Sequence, residues 1–187
     1  MSKRRGSASE NDARKELLQI SHPMIWMFGI VAVTFQLMPL YFKEIDIADS
    51  KISLLFTIPP LVAILANQFW GYLADVHFDS KVVMILMSAG SIGVAIAFPN
   101  FMSYGVLLFL MAMMTFFSNA RIPMLNALIL DSRRNKERYG FIRSLGSLAF
   151  VVVGAIVSFL TDLTNTGIIF PAIVILNILL IVSLIPL

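Results

Sequence analysis

The sequence predicts an all-α membrane protein with six transmembrane helices, and two observations carry that prediction. First, 58% of the 187 residues are hydrophobic and only 13% are charged, with a mean hydropathy of +0.86. A soluble domain has about 45–50% apolar and about 25% charged residues. A chain this apolar has more greasy surface than a soluble core of its size can hide. Second, the apolar residues gather in six runs, at 23–41, 52–73, 82–98, 102–130, 139–160 and 166–187. A helix needs about 20 such residues to cross about 30 Å of hydrocarbon. The third run barely suffices, and the fourth has a surplus that implies tilt or an extension past the bilayer. The links at 99–100 and 161–165 are so short that successive helices become antiparallel neighbours.

Composition also excludes. There is no cysteine, hence no disulfide, iron–sulfur cluster or thiol catalysis. His22 and His77 are far apart and form no metal-ligand cluster. The sequence has no H-E-x-x-H, no G-x-S-x-G and no paired intramembrane aspartates, so neither an enzyme nor a cofactor is implied. The net charge of +3 is explained by position. The tail 1–19 carries five basic residues (Lys3, Arg4, Arg5, Arg14, Lys15), the second connector Lys81, and the fourth Arg133, Arg134, Lys136 and Arg138; the other side has only Lys43 and Lys51. Cytoplasmic loops collect Lys and Arg. A multi-pass cell-membrane protein with a cytoplasmic N-terminus is expected, and no nucleic-acid partner.

The elements follow in order. Residues 1–19 read as a flexible cytoplasmic tail ending in a short interfacial helix, and 20–187 as the six-helix bundle. Pro59-Pro60, Pro123 and Pro171 interrupt the second, fourth and sixth helices, where neighbours can re-satisfy freed carbonyls. Gly90, Gly93, Gly146 and Gly154, with Ser88, Ser91 and Ser147, allow close helix approach. Arg121 stands nine positions before Leu130, or roughly 13 Å from the end of its run at 1.5 Å per residue. A charge left near mid-bilayer costs from about 2.5 kcal/mol upward. Its expected partner is an anionic substrate, a carboxylate beyond this chain or cavity water; the alternative is a polar contact with another helix. Arg143 lies one turn into the fifth helix and either serves a site or snorkels to the interface. Gln36, Asn67, Gln68 and Asn177 are further candidates for a polar cavity, each also able to make an interhelical hydrogen bond. The sixth run ends in apolar sequence without a basic anchor, so the first half of a longer protein is expected.

Two stretches carry a resemblance. The connector Gly71-Tyr72-Leu73-Ala74-Asp75-Val76-His77-Phe78-Asp79-Ser80-Lys81 resembles the G-x-L-A-D-R-x-G-R-R signature of the major facilitator superfamily. Gly71, Leu73, Ala74, Asp75 and Lys81 match; Val76, Phe78 and Asp79 depart. The resemblance implies that Gly71 permits close helix packing. It implies that Asp75 caps a neighbouring helix and pairs with basic residues, Lys81 among the candidates, as a gate latch. His77 reads as a solvated loop residue. The stretch 119–150 resembles the lactose-permease-like branch, with its proton symporters of sugars, nucleosides and aromatic acids such as phenylpropionate. The matching positions are Asn119, Ala120, Pro123, Ala127, Ser132, Arg133, Arg134, Tyr139, Gly140, Arg143, Gly146 and Ser147. Trp26-Met27-Phe28-Gly29 and Pro39-Leu40-Tyr41-Phe42-Lys43-Glu44 in the first helix support it.

That resemblance implies the N-terminal half of a twelve-helix permease, built as a 3+3 inverted repeat. It implies proton-coupled uptake of a small polar organic solute by alternating access. Arg143 would contact substrate hydroxyls, with Asn126 at the place of its glutamate partner and Phe150 as the aromatic platform for the solute. Arg121 and Gln36 join them as substrate-binding candidates; Gly71, Asp75 and Lys81 form the gate. No proton relay is visible within these six runs, so it is assigned to the missing half. Expected partners are the solute, membrane lipid, and a C-terminal half or a second copy of the chain. The alternative is a half-length membrane protein without independent transport, acting as an assembly partner or homodimer.

Overall fold

The computed structural model describes residues 2–131 and 137–187, with side-chain surroundings from Leu17 onward. All regular structure among the described residues is helical. Helix α1 (Ser2–Ala32), a π-helical turn (Val33–Leu37) and α2 (Met38–Glu44) run end to end. They are followed by α3 (Asp49–Val76) and α4 (Ser80–Ala97), which ends in a 3₁₀ turn, Phe98–Asn100. Next come α5 (Tyr104–Ser118), α6 (Arg121–Asp131), α7 (Tyr139–Leu163), a 3₁₀ turn Thr166–Ile168 and α8 (Ile169–Leu184). Six spans are long and apolar enough to cross a membrane: Leu17–Glu44, Asp49–Val76, Ser80–Asn100, Tyr104–Asp131, Tyr139–Leu163 and Thr166–Leu184. Each expected run falls within or largely within one span. The tail differs, because α1 begins at Ser2 and continues into the first span. Its sequence explains this, since Ala13 to Leu18 are good helix formers and no proline precedes Pro23.

Two prolines mark where the backbone departs from the α-helix. Proline lacks an N–H and its ring crowds the carbonyl four residues earlier. For Pro123 that carbonyl belongs to Asn119, and the fourth span breaks there, between α5 and α6. For Pro39 it belongs to Phe35, inside the π turn. By contrast α3 runs unbroken through Pro59-Pro60, where an interruption was expected.

The packing repeats itself. The closest neighbours are the span pairs one–five, three–six, one–six, two–four and three–four. Exchanging the first three spans for the last three turns one–five into four–two and one–six into four–three, and leaves three–six unchanged. The interrupted spans, one and four, are equivalent under this exchange. Three crossings separate them, so the repeat is inverted, as expected of a 3+3 fold.

Two aromatic clusters close the bundle. At the end away from the tail, Phe98 stacks on Phe170 at 5.4 Å, and Tyr41 meets Phe170 edge-on at 4.7 Å, joining spans one, three and six. Between spans two and four, the Trp70 indole packs on Phe116 and Phe117 and donates its N–H to the Phe116 carbonyl at 2.7 Å. This satisfies its one polar atom. Glycines set the tightest approaches. A Cβ on Gly146 would come within 2.9 Å of Phe28, and one on Gly154 within 2.7 Å of the Gln36 amide oxygen, so both hold span five against span one. A Cβ on Gly90 would overlap the Phe117 ring. Gly93, expected to act in the same way, has nothing within 4 Å of that position.

Gly90→Ala and Gly93→Ala therefore separate. Overpacking costs typically about 1–3 kcal/mol, so Gly90→Ala should lower the thermal midpoint of the detergent-purified chain while Gly93→Ala leaves it unchanged. Equal midpoints would refute the close approach at Gly90.

Candidate substrate site and gate

Arg121 begins α6, directly after the break in the fourth span, and is only 2% exposed. Its Nη1 donates to Asn177 Oδ1 of span six at 2.6 Å and to Ser88 Oγ of span three at 3.2 Å. Its Nε donates to the Ser118 carbonyl at 3.2 Å. That carbonyl lies in the last turn of α5, where intrahelical donors have run out. Asn177 and Ser88 are themselves anchored, the amide N–H₂ donating to the Ile173 carbonyl at 2.8 Å and the hydroxyl to the Met84 carbonyl at 2.8 Å. Of the two readings of Arg121, the polar contact with other helices is the one seen within this chain. The partners are neutral groups of spans three, four and six, because the break turns Arg121 into the bundle rather than onto an open face. Asn177, a candidate for either a cavity or an interhelical hydrogen bond, makes the latter and is fully buried in the same knot.

Arg143 has the opposite surroundings. It is exposed, donates from Nη1 to the Tyr139 hydroxyl at 3.2 Å, and stands over the Phe28 ring of span one at 6.0 Å. That distance is the outer edge of the cation–π range. Tyr139 precedes Arg143 by one helical turn, so that contact follows from i,i+4 spacing. Phe28 belongs to another span, and sequence reasoning did not assign it to the site. Asn126 is half-buried, and its side-chain oxygen is enclosed with no hydrogen-bond partner. It is therefore not bonded to Arg143. Phe150 is half-buried on α7, two turns beyond Arg143. Gln36 is exposed in the π turn, its amide against Gly154. Asn67 accepts a hydrogen bond from Asn119 at 3.2 Å across spans two and four, beside the helix break, and Gln68 is exposed. The chain thus presents a guanidinium flanked by two aromatic rings, while the unbonded amide oxygen on span four is enclosed.

The connector 77–79 departs from the signature's expected roles. Asp75 is exposed, and the one ion pair among the described residues is Lys43–Asp49 at 3.5 Å, at the other end of the bundle. Capping is done instead by Asp79, whose carboxylate accepts the Lys81 backbone N–H at 2.8 Å at the start of α4. Lys81 Nζ donates to the Ile185 carbonyl at 2.6 Å, tying span three to the end of span six. Gly71 makes no close approach within this chain, where a Cβ would meet nothing within 4 Å. Ser132, Arg133 and Arg134 of the fourth-connector motif lie outside the described residues.

The Arg121 knot predicts a non-additive pair. Asn177→Leu removes the shortest acceptor of an enclosed guanidinium and should cost about 1–3 kcal/mol. Arg121→Leu/Asn177→Leu removes the charge as well and should be more stable than Asn177→Leu alone. A double-mutant cycle read by thermal unfolding checks this; additive effects would refute the bond's role.

Residues 17–187 match the MFS_1 like family. Over 167 residues the chain is 28% identical to the maltose permease of Geobacillus stearothermophilus, spanning 86% of this chain and 41% of that protein. Over 111 residues it is 27% identical to the uncharacterized transporter YwbF of Bacillus subtilis (strain 168), spanning 59% of this chain and 28% of that protein. The chain covers less than half the length of either relative. Its six apolar spans and inverted-repeat packing agree with a match that begins where the first span begins: this chain belongs to the MFS_1 like family, within the major facilitator superfamily of multi-pass membrane transporters.

Proposed function

We propose that the chain is the N-terminal six-span half of a secondary transporter that takes up a small hydroxyl-bearing organic solute by alternating access, coupled to protons. The observation that carries this reading is the exposed Arg143 guanidinium between Phe28 and Tyr139. A guanidinium offers five N–H donors in a fixed fork. One bonds Tyr139, and a solute with hydroxyl or carboxylate oxygens suits the fork. The Asn126 oxygen, enclosed and unbonded here, would accept from a solute hydroxyl once alternating access opens its surroundings, and Phe150 and Gln36 extend the surface along spans five and one. The likeness to a maltose permease supports the sugar class among the sugars, nucleosides and aromatic acids considered.

In this reading Arg121 is part of the scaffold rather than a solute contact. The acidic side chains of this chain stand at span ends and connectors, so the proton relay belongs to the segment that completes the transporter, a C-terminal half or a second copy. Gly71 and Asp75, open on this chain, are where that segment would close the tail-side gate. The basic tail and connectors support a cytoplasmic N-terminus in the cell membrane. The competing reading, a half-length assembly partner, makes Arg143 irrelevant to uptake.

Hydrogen bonds to a charged group contribute about 1.5–3 kcal/mol, so Arg143→Ala in a transporter carrying this chain should lower sugar uptake about 10- to 100-fold. Arg143→Lys should recover part of it. Undiminished uptake in Arg143→Ala would remove Arg143 from the site.

A further inference from the structure

At the tail side of the bundle, the start of the first span and the end of α8 leave an open groove of about 600 Å³ between them. Leu18, His22 and Trp26 line one wall; Leu179, Val182 and Pro186 line the other. Leu18 is 50% exposed and Val182 57%, so the slot opens away from the core. Its walls are overwhelmingly apolar, and its polar groups sit toward the membrane-interface end, where His22 stands five positions after Leu17, the first residue of the span. In a chain that spans a bilayer, an outward slot of this kind meets hydrocarbon at its depth and headgroups at its rim.

The rim is cationic. Lys81 reaches from the start of α4 to the Ile185 carbonyl, 2.6 Å away, which holds its ammonium beside Pro186 of the groove wall. That bond uses one of three N–H donors. The nearest carboxylate in sequence, Asp79, is occupied with the Lys81 backbone N–H as the cap of α4. The sequence sets Arg14 and Lys15 just ahead of the span, with Glu16 as the one acidic residue between them and Leu17. Basic clusters next to a membrane span attract anionic lipid.

We propose that this groove seats an anionic phospholipid, with one acyl chain between α1 and α8 and its phosphate at Lys81 and His22. The lipid would fill the opening between spans one and six and bridge their ends to span three through Lys81. The assignment is independent of the solute carried.

The chain's two tryptophans provide the test, since Trp26 lines the groove and Trp70 is enclosed in its aromatic cluster. The 187-residue chain with Trp70→Phe is reconstituted in phosphatidylcholine bilayers containing a minor fraction of phosphatidylglycerol brominated on its acyl chains. Trp26 fluorescence is then compared with that at the same fraction of brominated phosphatidylcholine. The difference between the unsubstituted chain and Trp26→Phe isolates the same signal without altering Trp70. Quenching by the anionic lipid should exceed that by phosphatidylcholine about twofold or more, and the excess should vanish in His22→Gln/Lys81→Gln. Trp70, observed alone in Trp26→Phe, should show no headgroup preference. Equal quenching by the two lipids, or a preference that survives the double substitution, would overturn the site. Quenching by neither lipid would overturn it in favour of a groove covered by another protein surface, such as a second copy of the chain.

Discussion

The structure depends on how it repairs one broken helix. Pro123 prevents the fourth span from continuing through Asn119, and in hydrocarbon no water is present to take up the backbone groups that the break releases. Arg121 does part of that work. Its Nε–H reaches back to the Ser118 carbonyl, while its Nη1 reaches sideways to Asn177 and Ser88. The same side chain therefore closes the gap within span four and ties it to spans three and six. The arrangement is strained electrostatically: a cation begins a helix, where the macrodipole is already positive, and the described residues give it only neutral acceptors. The short 2.6 Å bond to Asn177 is what a charge-assisted hydrogen bond looks like under those conditions.

Spans three and six thereby become the fixed side of the bundle. Their direct contact maps onto itself under the internal repeat, and they share the Phe98–Phe170 stack at one end and the Lys81–Ile185 tie at the other. Spans one, two, four and five carry the remaining polar side chains, Gln36, Asn67, Asn126 and Arg143. The two intramembrane arginines thus divide the work. One is enclosed and holds helices together; the other is exposed between aromatic rings, where the proposed function has it meet a solute. Their sequence contexts look alike, and only the packing separates them.

The spans were legible because hydropathy over about 20 residues is a strong signal that tertiary structure does not override. The break at Asn119 was legible too, as the steric consequence of Pro123. The π turn ahead of Pro39 follows the same rule but leaves the run of apolar residues uninterrupted, so nothing in the hydropathy marks it. The partners of Arg121 were not legible: Ser88 and Asn177 lie 33 and 56 positions away, and nothing in a sequence states which face of a broken helix turns inward. The cap of α4 shows the same limit. The signature drew attention to Asp75, whereas the ordinary N-cap rule, an Asp just before a helix start, identifies Asp79. Arg143 was placed by resemblance, its Tyr139 contact follows from helical spacing, and Phe28 required the structure.

The most direct test of the Arg121 tie is a distance measurement between spans four and six. The chain has no cysteine, so spin labels at Ala127→Cys and Ile178→Cys, both exposed positions, report the separation of these spans without background. With Arg121 as the tie, Arg121→Leu broadens and lengthens the distance distribution measured by pulsed electron resonance, while Arg143→Leu leaves it unchanged. A distribution that survives Arg121→Leu intact, or that broadens equally in Arg143→Leu, would contradict the assignment of Arg121 as the side chain that joins the broken span to its neighbours.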